Sequence, residues 1–215
     1  MTDKYSKLVD RIIIERLEDP DDLGIVDLST LAVAIYQRLE KEPCEELFKM
    51  LDNLSMREID SACYYMSRCY YLGVFVEKDY QKTIYYLELG DYIDDYCCQY
   101  RLGRIYFEGE IITKDYQKAF EYFEKAAKQG HPESQLALAD MYYEGYGVAV
   151  DYKKARYWYE LAGEQGIGIA YYTIGAMYLK GEGVPMNPDI AAKYQLKALE
   201  LEYSHDTYFK KYLEE

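Results

Sequence analysis

The side chains with the most reactive chemistry are few and scattered. Vicinal Cys97-Cys98 could cycle as a redox pair or hold a thiophilic metal, but no other ligand-type residue repeats nearby. The five cysteines, Cys44, Cys63, Cys69, Cys97 and Cys98, contain no C-x-x-C pair and no recurring spacing. They read better as small packed apolar groups in a reducing compartment. Asp91, Asp94 and Asp95 could chelate a hard cation, yet they lack calcium-loop spacing, and an irregular acidic turn accounts for them better. His131 and His205 have no nucleophile or metal partner suggested by the sequence. Gly181-Glu182-Gly183 resembles part of a phosphate-binding loop, but no strand precedes it. No H-E-x-x-H, nucleophile elbow or dinucleotide fingerprint occurs. The expectation is a protein that is not an enzyme, with no catalytic residues, no cofactor and no metal.

Recognition chemistry is better represented. The chain has 215 residues, 28 of them tyrosine, with 25 Lys and Arg against 39 Asp and Glu, a net charge of −14. Such a charge repels nucleic-acid phosphates and the anionic face of a membrane, so neither is an expected partner. Apolar residues make up 50% of the chain, enough to offset the entropy of ordering it. Met1 to Asp19 is rich in charge and lacks the apolar core of a secretory signal, which points to the cytoplasm.

The elements that must position these residues follow a repeat. Tyr70, Tyr106, Tyr142 and Tyr178 recur every 36 residues, as do Gly73, Gly109, Gly145 and Gly181. Asp79, Asp115 and Asp151 share the step, with Asn187 fourth. The copies are 62–97, 98–133, 134–169 and 170–205. In copy two, Cys98, Leu102, Ile105 and Tyr106 share one helical face. Gly109 closes that helix, and Asp115 is placed to cap the next. The second helix buries Ala119, Tyr122, Phe123, Ala126 and Ala127. Tyr157 and Tyr194 are expected in second-helix packing as well. Each unit is a hairpin that cannot cover its own apolar face, so copies must stack.

Residues 1–61 form a separate acidic, tyrosine-poor region, read as a helical N-terminal cap with helices at 4–18, 28–41 and 44–54. Ser55-x-x-Glu58 has the form of a capping box starting the first repeat helix. At the other end, residues 206–215, with Tyr208, Phe209, Tyr212 and Leu213 at helical spacing, read as a C-terminal capping helix. The whole is read as one continuous structural domain.

The strings Leu102-Gly103-x-x-Tyr106-x-x-Gly109, Gly145-x-Gly147-Val148-x-x-Asp151 and Lys125-Ala126-Ala127-Lys128-Gln129-Gly130 resemble the Sel-1-like repeat, a relative of the tetratricopeptide repeat. The resemblance covers 62–205 and implies an all-α fold, a right-handed α/α solenoid of stacked helix hairpins that serves as a protein-interaction scaffold or adaptor. Phe75 and Ile111 stand where the family's loop has its second glycine, so a different loop is expected in copies one and two.

First helices of stacked hairpins line the concave surface, and their off-core positions vary between copies. The candidate partner-binding residues there are Tyr65, Arg68, Tyr71, Tyr100, Arg101, Arg104, Phe107, Asp140, Tyr143 and Leu179. They make an aromatic stripe beside a small basic cluster of Arg68, Arg101 and Arg104. The favoured reading is a scaffold taking a peptide or partner helix in that groove. The alternative is an acidic neutralising partner, such as an immunity protein or inhibitor, of a basic protein or enzyme.

Overall fold

The computed structural model describes residues 25–41 and 44–201. Among them are ten α-helices and no strand: α1 Ile25–Leu39, α2 Glu45–Met56, α3 Asp60–Leu72, α4 Tyr80–Tyr92, α5 Tyr96–Glu108, α6 Tyr116–Lys128, α7 Pro132–Glu144, α8 Tyr152–Glu164, α9 Gly168–Lys180 and α10 Pro188–Glu200. The expected helices at 4–18 and 206–215 lie outside the described residues. The chain divides into two compact units, Met1–Leu102 and Gly103–Glu215. Helix α5 contributes Tyr96–Leu102 to the first and Gly103–Glu108 to the second.

Each unit is a stack of hairpins around its own core. In the first, α1 to α4 bury Leu31, Ile35, Leu39, Leu51, Leu54 and Met66. In the second, α7 to α10 bury Ala139, Ala155, Tyr159, Ala162, Ile174 and Met177. The register column Met66, Leu102, Leu138, Ile174 is fully buried in every copy, which is what the helical spacing predicts.

The hairpins share one loop construction. Gly73, Gly109, Gly145 and Gly181 adopt φ of 78°, 71°, 78° and 75°, a left-handed turn that an unbranched backbone accepts without strain. The backbone N–H groups of Asp79, Asp115, Asp151 and Asn187 then donate to the carbonyls of Tyr70, Tyr106, Tyr142 and Tyr178 at 2.9–3.0 Å. Their side chains cap the following helix; Asp115 accepts from the N–H groups of Gln117 and Lys118, satisfying donors with no intrahelical partner.

Two local expectations are corrected. Phe75 takes φ 67°, matching Gly147 at 70° and Gly183 at 68°, so copy one keeps the same left-handed turn there. Its ring packs on Phe48 at 5.1 Å, a contact that offsets the cost of a side chain in this region. Ile111 stays out of the left-handed region, as β-branching requires. At Gly147 a Cβ would lie 2.5 Å from the Tyr116 carbonyl oxygen, so no side chain fits. The second correction concerns Ser55 and Glu58. Ser55 lies inside α2, its hydroxyl donating to the Asp52 carbonyl at 2.7 Å. Glu58, at φ 60°, occupies the column of Asp94, Gly130 and Gly166, all left-handed. That shared inter-copy turn, rather than a capping box, sets the start of α3. Tyr157 is also 55% exposed, while Trp158 is partly buried against the second unit's core.

Candidate interaction surface

Among the described residues, Asp94, Asp95 and His131 have structural partners; His205 lies outside the described residues. Asp95 Oδ1 accepts from the N–H groups of Cys97 at 2.7 Å and Cys98 at 3.4 Å, capping α5, while Asp94 accepts from Gln99 Nε2. Burial pushes the Cys98 thiol well above its ordinary range, with the Asp95 carboxylate acting in the same direction, so this sulfur is a poor nucleophile. His131 caps α7: Nδ1 accepts from the Ser134 N–H at 3.2 Å. Burial lowers its pKa, against the pull of Glu133, which keeps that nitrogen an acceptor. Among the described residues, no three His, Cys, Asp or Glu side chains are placed to hold a metal.

In the first unit, α1, α3 and α5 give four of the candidates, Tyr65, Arg68, Tyr71 and Arg101, aromatic contacts. Tyr36 of α1 is buried and stacks on Tyr65 at 4.7 Å between ring centroids. Arg68 lies four residues after Tyr64 and three before Tyr71, on one side of α3. Its Nε donates to the Tyr36 hydroxyl at 3.2 Å and its Nη1 to the Tyr64 hydroxyl at 3.4 Å. The guanidinium also sits 5.3 Å and 5.9 Å from those ring centroids, within cation–π range. Burial opposes the charge on Arg68, and the two hydroxyls more than offset it. Burial pushes Tyr36 up to about 12, with Arg68 pulling the other way and Glu40 adding to the rise. Arg101 of α5 stands over Tyr71 at 4.5 Å. Tyr65, Arg68, Tyr71, Tyr100 and Arg101 are all half-buried.

In the second unit the remaining candidates have different surroundings. Arg104 Nε and Nη2 both donate to Glu108 Oε1, at 2.9 Å and 2.7 Å. Phe107 belongs to a ring cluster with Tyr116 at 5.1 Å, Tyr146 at 5.5 Å and Phe123 at 6.4 Å. Asp140 accepts from the Tyr159 hydroxyl at 2.5 Å. Tyr143 donates to Glu182 at 2.5 Å and accepts from Lys180 at 3.3 Å. Leu179 is 45% exposed. The three arginines therefore differ: Arg104 is paired with a carboxylate, while Arg68 and Arg101 rest on tyrosines.

Sequence spacing missed two features. Tyr36 completes the Arg68 cradle from outside the repeat, 32 residues upstream, so the 36-residue register does not point to it. Lys82, Lys118 and Lys154 stand 4.8–5.0 Å over Tyr70, Tyr106 and Tyr142. That row keeps the 36-residue step and is visible in the sequence.

The Sel1 repeat family model matches residues 60–90, 98–131, 132–167 and 168–203. A Sel1 repeat protein from Oxalobacter formigenes superposes with a TM-score of 0.74 at 27% identity, covering 80% of this chain and 70% of that one. A protective antigen present in uropathogenic Escherichia coli strains, displaying an SLR fold, superposes with a TM-score of 0.71 at 22% identity. That match covers 93% of this chain, which spans under half, 46%, of the antigen. A search of curated proteins gave no match. No helix among the described residues is long and apolar enough to cross a membrane. With four matched copies filling more than half of its length, the chain belongs to the Sel1 repeat family.

Proposed function

We propose that this chain is a non-catalytic cytoplasmic scaffold or adaptor that holds a peptide or partner helix against the exposed sides of its first helices. Sel1 repeats generally mediate protein–protein interaction. One observation carries the reading: the buried column of α3, α5, α7 and α9 is constant in character, whereas the neighbouring column changes from Arg68 to Arg104, Asp140 and Ala176. The fold fixes the character of the first column; the second varies from copy to copy, as a column that encodes a partner would. Tyr and Arg, abundant on these faces, are frequent binding hot spots.

The test uses a partner recovered with the full-length chain from native cytosol. Leu179→Glu, on an exposed first-helix position, should weaken its binding about tenfold, the loss expected for a central apolar contact. Tyr157→Glu, equally exposed but on a second helix, should leave binding intact. The reverse pattern contradicts the proposal.

The net charge of −14 supports a second reading, an acidic neutralising partner of a basic protein. Electrostatic steering of that kind slows steeply as salt is added. An association rate indifferent to ionic strength would eliminate it.

A further inference from the structure

We propose that the Tyr36–Arg68–Tyr64 cradle, with Arg101 over Tyr71, is a subsite for the carboxylate side chains of an acidic peptide segment in the partner. This rests on the scaffold reading above and specifies what the first helices of the first unit select.

The first support is the absence of a counter-ion. Among the described residues, neither Arg68 nor Arg101 forms an ion pair within 4 Å, whereas Arg104 and Arg156 each have a glutamate four residues on. The local sequence enforces the difference. The helical neighbours of Arg68 at three and four residues are Tyr64, Tyr65, Tyr71 and Leu72, and those of Arg101 are Cys97, Cys98, Arg104 and Ile105. In a chain with 39 acidic residues, both guanidiniums are kept from any intrahelical carboxylate.

The second support is the way the guanidiniums are held. Arg68 spends two of its five N–H donors on neutral phenol oxygens at 3.2 Å and 3.4 Å, leaving the others for a charged acceptor. Ring contacts steady the guanidiniums of both arginines and leave donor edges suited to a planar carboxylate. Arg68 and Tyr71 are three residues apart on α3, and Arg101 covers Tyr71, so both guanidiniums lie along one side of α3. Half-burial lowers the local dielectric and strengthens each new contact.

One residue works against the incoming acid. The Glu40 carboxylate interacts with the Tyr36 hydroxyl and repels a second carboxylate arriving at the same cradle. Charges farther than about 8 Å are screened at physiological salt, so Glu40 matters more than the overall −14.

The test is fluorescence anisotropy with the full-length chain and a labelled, end-blocked peptide of alternating Glu and Leu. A matched peptide with Gln for every Glu is the control. The Glu peptide should bind at least tenfold tighter than the Gln peptide. Arg68→Gln and Arg101→Gln should each weaken it about tenfold, the value of a charge-assisted hydrogen bond, and Glu40→Gln should tighten it. Arg101→Gln touches no hydrogen bond of the core, so it remains informative if Arg68→Gln melts early. Equal binding of the two peptides, or unchanged affinity in Arg101→Gln, overturns the proposal. So does displacement by inorganic phosphate at the peptide's own concentration, which would mark a phosphate site. If the peptides fail while Leu179→Glu still releases the native partner, the acidic-ligand proposal falls and the scaffold reading stands.

Discussion

Asp140 shows how a single candidate residue answers to its surroundings. Crowding by protein pushes its carboxyl up to about 6, against the Tyr159 hydroxyl, which favours the charged form, and with a further push from Glu144. The residue remains open to water, so the effect on stability is modest. Its sign is nevertheless fixed. Between the ordinary carboxylate range and about pH 6 the folded chain holds a proton that the unfolded chain has released, so stability falls as pH rises through that window. A carbon-detected NMR titration should place the Asp140 midpoint near 6, and Tyr159→Phe should raise it further. A midpoint below that of an ordinary aspartate would show that the Tyr159 hydrogen bond, not crowding, dominates.

Between elements, the repeat preserves summed volume rather than identity. Where α4 meets α5, Gly90 faces Cys98, and a Cβ on Gly90 would lie 2.2 Å from the Cys98 sulfur. The same register holds Ala126 with Ser134 and Ala162 with Ala170, smaller partners that admit the extra methyl. Gly163 follows the same rule, its missing side chain making room for the Tyr171 ring. Helix propensity alone favours alanine over glycine by up to about 1 kcal/mol, but overpacking costs about 1–3 kcal/mol. Gly90→Ala should therefore destabilise the chain in denaturant melts, and Cys98→Ala in that background should recover part of the loss. An increase in stability from Gly90→Ala alone would show that the interface is looser than its geometry.

For the whole chain, what was legible depended on recurrence. The tyrosine, glycine and aspartate columns carry loop closure, turn geometry and caps, and each column has one physical job in every copy. That is why a single sequence exposed the hairpins. Features made once were hidden. The cradle around Arg68 depends on Tyr36 from a helix outside the register, and Ser55-x-x-Glu58 imitates a cap because its spacing is right although its backbone is a left-handed turn. Phe75 departs from its steric preference because the Phe48 ring, distant in sequence, compensates it. The candidate interaction residues stand out as columns, yet their chemistry does not, since spacing does not reveal that Arg104 is taken by Glu108 while Arg101 stands on Tyr71.

The central claim, that partners are read by the first helices, is tested most directly by site-specific photo-crosslinking in whole-cell extract. A benzophenone side chain would be placed in turn at Tyr100, Leu179 and Tyr157 of the full-length chain. The account predicts one shared protein adduct from Tyr100 and Leu179 and none from Tyr157. An adduct from Tyr157 with silence at the two first-helix positions would contradict it.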